Sequence, residues 1–161
     1  MLLNKRGFSI AELMTVIGII AIMSAIALPM SFNTISARRL SASALDVLAL
    51  LEHARSAAVK RGESVFVHID YAQNTVRATA GSLTGSHERT SKASAGVTLQ
   101  QTSGVLPSTF RFNSHGLPES EASPGSWVLT SGKVVLSDGG RHPNKTVSLN
   151  AGGNAKIEKT N

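Results

Sequence analysis

Lys5-Arg6-Gly7-Phe8-Ser9-Ile10-Ala11-Glu12-Leu13 opens the stretch KRGFSIAELMTVIGIIAIMSAIALPM, residues 5–30, on whose reading the fold depends. Between Phe8 and Met30 the only ionisable side chain is Glu12, and from Leu13 to Met30 there is none. Phe8 to Leu28 spans 21 residues, about 31 Å as a helix and close to the ~30 Å hydrocarbon core of a bilayer. A short basic leader, MLLNKRG, precedes it.

Three readings of this segment compete. A cleaved secretory signal has a basic start, an apolar middle and small residues before the cut, and Ala25-Ile26-Ala27 would serve as that site. A plain transmembrane anchor is the second. Neither gives Glu12 a role, although a carboxylate in such a segment costs a few kcal/mol and marks a function and a partner. The third reading is a segment whose acid has a partner.

The residues beyond Met30 argue against simple cleavage. Leu40, Ala44, Val47, Leu48, Leu51, Ala54 and Ala58 recur at steps of three and four, a helical stripe, with Asp46, His53 and Lys60 on a polar face. Gly62 ends the pattern just after Lys60 and Arg61, as a helix stop with cations in its last turn does. Pro29 removes one backbone hydrogen bond and is expected to kink or loosen the helix. The simplest expectation is one helix of about fifty residues, roughly 80 Å long, apolar all round in its first half and amphipathic in its second.

The nine residues Lys5 to Leu13, followed by the apolar run, resemble the class III signal of type IV pilins and type II secretion pseudopilins. The resemblance implies that a prepilin peptidase recognises Lys5 and Arg6, cuts between Gly7 and Phe8, and methylates the new amino group of Phe8. It also implies that Glu12 sets the subunit register by neutralising the N-terminal amine of a neighbouring subunit or its own. That role is physically sensible. In apolar surroundings a cation and a carboxylate attract far more strongly than in water, although desolvation offsets much of the gain. Ala11, Gly18, Ala21, Ser24 and Ala25 are small enough to let helices approach closely. Lys5 and Arg6 are expected to stay cytoplasmic, but Arg38 and Arg39 lie beyond the other end, so the leader motif decides the orientation.

Beyond Gly62 the period changes. Ser64–Asp70 alternates, with Val65, Val67 and Ile69 on one face. Tyr71 to Asn74 reads as a turn before a strand at Thr75–Ala78. Further strands are expected at Gly96–Gln100, Thr109–Asn113, Ser126–Thr130, Lys133–Ser137, Lys145–Leu149 and Ala155–Glu158, separated by turns such as Asp138-Gly139-Gly140 and Ala151-Gly152-Gly153-Asn154. Gly81–Ser94 and Glu119–Gly125 read as polar loops. A helix followed by a run of antiparallel strands is α+β, here with the amphipathic half of the helix packed on the sheet.

Two further stretches, Leu51 to Arg61 and Phe110 to Pro118, are similar to the H-type pseudopilin and FimT/FimU minor-pilin group. That resemblance implies a pilin-like fold with two antiparallel sheets against the helix, in a low-abundance subunit at or near a filament tip. The chain has no cysteine, whereas major pilins often carry a C-terminal disulfide loop, and this too favours a minor subunit. The implied organisation is a leader at 1–7, a transmembrane and assembly half-helix at 8–30, an amphipathic half-helix at 31–61 and a periplasmic β-rich domain at 62–161. The implied partners are other pilins or pseudopilins, the prepilin peptidase, an inner-membrane assembly platform and the inner membrane before assembly.

Composition restricts the alternatives. Disorder needs more charge than 16 % and fewer apolar residues than 42 %. The five histidines lack metal-ligand spacing, and no phosphate-binding loop, dinucleotide fingerprint or nucleophile elbow occurs. No catalytic residue, metal site or cofactor is expected. The net charge of +6, or +4 once Lys5 and Arg6 leave with the leader, suits an anionic partner. FimT-type members that bind DNA for uptake use a C-terminal G-R-x-R turn. The matching Gly153-Asn154-Ala155-Lys156 replaces two bidentate phosphate donors with an amide and a point charge. Arg141, Lys145, Lys156 and Lys159 are the remaining candidates for a DNA contact.

Overall fold

The computed structural model describes residues 8–82 and 84–159, with the side chains of residues 27–32 and 159 outside the description. The described residues form one helix and ten strands. Helix α1 runs from Ile10 to Arg61, continuing through Pro29, and ends at Gly62, whose φ of 68° lies in the left-handed region. The chain divides into two units between Ile35 and Ser36.

In the second unit the expected stripe is the buried face of α1: Leu40, Ala44, Val47, Leu51, Ala54 and Ala58 are buried, while Asp46, His53 and Lys60 are exposed. Leu50 and Ala57 widen that face. Strands β1 (Val65–Asp70), β2 (Thr75–Ala80), β3 (His87–Lys92), β5 (Thr109–Phe112), β6 (Pro118–Ser123) and β7 (Ser126–Leu129) form an antiparallel sheet in the order β3-β2-β1-β5-β6-β7. Strands β4 (Thr98–Gln100), β8 (Gly132–Ser137), β9 (Lys145–Leu149) and β10 (Ala155–Lys159) form a second, in the order β10-β9-β8-β4.

Val65, Val67, Ile69, Phe110 and Phe112 of the first sheet and Leu99, Val134, Leu136, Val147 and Leu149 of the second share one core with the α1 stripe. Phe110 and Phe112 meet edge to face, 5.7 Å between centroids, the geometry aromatic quadrupoles favour. Two polar residues tie the layers. Buried Ser43 of α1 accepts the Ser94 amide at 3.0 Å. Asn74, at φ 53°, closes the β1–β2 turn, and its side-chain oxygen accepts the Leu99 amide of β4 at 2.7 Å.

Two expected loops contain strands instead. Gly81–Ser94 includes β3, and Glu119–Gly125 overlaps β6. Their sequences, HERTSK and PESEAS, lack the apolar alternation that marks a half-buried strand. β3 is an edge strand, where charge and polarity suit a rim facing water, and β6 is held between β5 and β7 by backbone pairing.

Candidate functional site

The first unit begins with Ser9, whose carbonyl accepts the amides of Glu12 and Leu13, each at 3.1 Å, and so starts α1. Thr15 Oγ1 donates to the Ala11 carbonyl at 2.8 Å. Every described side chain from Phe8 to Ile26 is exposed. Phe8 at 77 % and Ile10 at 80 % exposure are the extremes of a continuous apolar surface, far larger than a lone soluble protein normally presents. Glu12 stands on that surface with no hydrogen-bond or ion-pair partner among the described residues. A Cβ added at Gly18 would meet nothing within 4 Å, which leaves open space beside the helix. Lys5, Arg6 and Gly7 lie outside the described residues. Among the described residues no helix is long and apolar enough to cross a membrane; the expected Phe8–Leu28 span includes two positions, 27 and 28, whose side chains are not described.

The four basic candidates lie on three elements: β9, β10 and the turn between β8 and β9. Lys145 and Lys159 are paired positions on β9 and β10. Lys156 falls on the other face of β10 by the two-residue period, and its ammonium is 2.7 Å from Glu158 Oε1. This hydrogen bond from Lys156 is the main cause holding the Glu158 carboxyl below its usual range. Arg141 sits in the turn between β8 and β9, beside a pocket it shares with Ser36, Arg39 and Asp138.

The stretches singled out in the sequence converge elsewhere. Arg55 of α1 donates through Nη1 to the Asn154 side-chain oxygen at 2.7 Å. A Cβ at Gly116 would come within 2.9 Å of Val59 Cγ2 and 3.2 Å of Arg55 Cγ. One at Gly153 would come within 2.2 Å of the Gly116 carbonyl oxygen and 3.0 Å of Arg55 Nε. The two turns therefore close on the Arg55 side chain because both carry glycine, at φ 75° and 80°. Asn154 is engaged in joining the β9–β10 turn to the helix.

Sequence reasoning missed a cluster on the outward face of the first sheet. The chain's one tryptophan, Trp127, packs edge to face with Phe66 at 5.7 Å, and the Arg111 guanidinium lies 4.0 Å over its ring. Arg111 also pairs with Glu119 at 2.9 Å. The signal was weak because these residues belong to several strands, one of which read as a loop.

The family model for Type II transport protein GspH matches residues 43–153. This is more than half of the chain, and the chain belongs to that family. No curated protein matches the sequence. Among solved structures, the fold is similar to the type IV minor pilin FimU of Pseudomonas aeruginosa in two crystal forms. One is 17 % identical, covering 73 % of this chain and 91 % of that chain at a TM-score of 0.55. The other is 18 % identical, covering 75 % and 89 % at 0.57. It is also similar to the minor pseudopilin EpsH from the Type 2 Secretion System of Vibrio cholerae, 13 % identical, covering 75 % and 97 % at 0.56. At these identities the likeness is one of fold. The pilin-like α+β architecture expected from the sequence is the one observed.

Proposed function

We infer that this member of the GspH family is a minor pilin or pseudopilin, a structural subunit of a type IV pilus or of a type II secretion pseudopilus. The observation that supports it best is the exposed apolar surface from Phe8 to Ile26, on which the Glu12 carboxylate has no partner among the described residues, in one continuous helix with the segment that packs the β-rich domain. A surface of that kind requires a second solvent or a second set of helices.

In this reading the precursor sits in the bacterial inner membrane with its globular domain in the periplasm. Prepilin peptidase cuts between Gly7 and Phe8 after recognising Lys5 and Arg6, and Phe8 is N-methylated. Methylation keeps the amine positively charged. The assembly platform then moves the helix from lipid into a filament, where Glu12 pairs with an N-terminal amine. Any other axial register leaves two charges unpaired in apolar surroundings, and this makes the pair a register device. The nucleic-acid alternative gains no support from an arrangement in which Asn154 is bonded to Arg55 and Lys156 to Glu158.

The test has two arms. Intact mass of membrane-extracted protein is expected to show loss of residues 1–7 and gain of one methyl group; a chain retaining Met1 would overturn the reading. Glu12→Val is expected to insert into the membrane normally yet fail to enter filaments, and normal incorporation would remove the role given to Glu12.

A further inference from the structure

The outward face of the first sheet also carries a cleft of about 430 Å³, lined by His68, Arg77, His87, Thr79, Thr84 and Thr109 together with Gly85. Its floor is set by strand register. His68 of β1 stands opposite Arg77 of β2 on one side and Thr109 of β5 on the other, distances at which side chains touch across a ladder. His68 Nδ1 is 3.1 Å from Thr109 Oγ1, which engages that ring nitrogen, and Nε2 has no partner among the described residues.

The rim depends on an irregularity. β2 and β3 pair Ala78 with Arg89 but Thr79 with His87, so Glu88 is an extra residue at a β-bulge. In an unbroken ladder Glu88 would stand opposite Thr79 and place a carboxylate in the cleft. The bulge exchanges the two faces. Glu88 turns to α1, where Arg61 grips both its oxygens, Nη1 on Oε1 and Nη2 on Oε2 at 3.1 Å, with His53 Nε2 3.9 Å away. His87 takes the place facing the cleft.

Among the described residues the lining of this concave site holds a guanidinium, two imidazoles and three threonines and no acid; the Thr79 hydroxyl donates to the Ser82 carbonyl at 2.8 Å. Arg77 makes no hydrogen bond or ion pair among the described residues, whereas Arg61 and Arg111 each have a carboxylate. A planar carboxylate would be satisfied by the Arg77 fork alone. Donors arriving from three strands suit a tetrahedral group with more oxygens to fill, and the volume falls within the ~300–1,000 Å³ of small-molecule sites, leaving room for what the group is attached to.

We propose that this cleft binds a phosphate group, free or carried by a small phosphorylated molecule, with Arg77 holding two phosphate oxygens and His68 and His87 serving the others. The cleft shares no residue with the Phe8–Ile26 surface or with Lys145, Lys156 and Lys159.

The full-length chain in neutral detergent is titrated with inorganic phosphate and, separately, with glycerol phosphate, followed by ³¹P line broadening. Saturable binding is expected, weakened about tenfold by Arg77→Gln, the loss of one charge-assisted bidentate contact, weakened less by His87→Gln, and unchanged by Arg141→Gln. Tighter binding of the ester identifies an organic phosphate as ligand, and tighter binding of the free ion identifies phosphate itself. No broadening at about 10 mM, above any useful affinity, would overturn the proposal. So would Arg77→Gln binding as the parent does, or acetate competing as well as phosphate. The circular dichroism of Arg77→Gln should match that of the parent; if it does not, His87→Gln decides alone.

Discussion

His142 holds both carboxylate oxygens of Asp138: its ring Nδ1 lies 2.6 Å from Oδ2, and its backbone amide donates to Oδ1 at 3.0 Å. One buried acid thereby shapes the turn between β8 and β9, where Gly139 and Gly140 take φ of 78° and 82°. Ser36 Oγ of α1 reaches the same imidazole nitrogen at 3.4 Å, so the turn is anchored to the helix as well. Burial pushes the Asp138 carboxyl up, but the hydrogen bonds from His142 outweigh it and hold the group below its ordinary value.

That lowered value gives a signed pH dependence. Asp138 contributes stability that is present above its unfolded-state pKa and is lost as pH falls through the folded one. Asp138→Asn is therefore expected to cost about 1–3 kcal/mol at neutral pH. The gap between parent and variant should close as pH drops below about 4. Thermal midpoints at a series of pH values check this, and a gap independent of pH would refute it.

Gly153→Ala is expected to destabilise the domain by about 2 kcal/mol or more, since the new methyl would sit 2.2 Å from the Gly116 carbonyl oxygen in a left-handed backbone. Asn154→Ala, which removes only the exposed bond to Arg55, should cost about 1 kcal/mol. Denaturant midpoints of the two variants order them; equal effects would show that the close packing of the turns is unimportant.

Phe110→Ala removes a fully buried ring that packs against Phe112. A loss of about 3–5 kcal/mol is expected, read as a lowered unfolding midpoint. A loss below about 1 kcal/mol would mean that the site collapses around the missing ring.

Arg111→Ala uncovers one face of Trp127 and leaves Glu119 with the Asn113 side-chain amide, 2.7 Å from Oε1, in place of the ion pair. Trp127 is the chain's one tryptophan, so its emission should shift to the red, with a stability cost of about 1 kcal/mol. Unchanged emission would show that the guanidinium does not shield the ring in solution.

Much of this architecture was legible because burial imposes a period. The steps of three and four from Leu40 to Ala58 and the alternation of Val65, Val67 and Ile69 both mark the faces that meet in the core. Gly62 and the Asp138-Gly139-Gly140 turn were legible from backbone freedom. β3 and β6 were not, because His87–Lys92 and Pro118–Ser123 are held by backbone pairing and partners far along the chain. The bulge between Ala78 and Thr79 was hidden for the same reason: register is a property of two strands, and one of them read as a loop. At the site, Glu12 stood out by being charged where nothing else is. The convergence of Arg55, Gly116 and Gly153 could not be seen, since no local rule links residues so far apart.

The bond from Arg55 to Asn154 spans 99 positions, so neither partner can engage until the whole stretch between them has been made. Val147 and Leu149 of β9 join an interior whose helical face and first sheet lie earlier in the chain. Closing the core therefore depends on contacts between residues far apart in sequence, and such contacts slow folding relative to local ones.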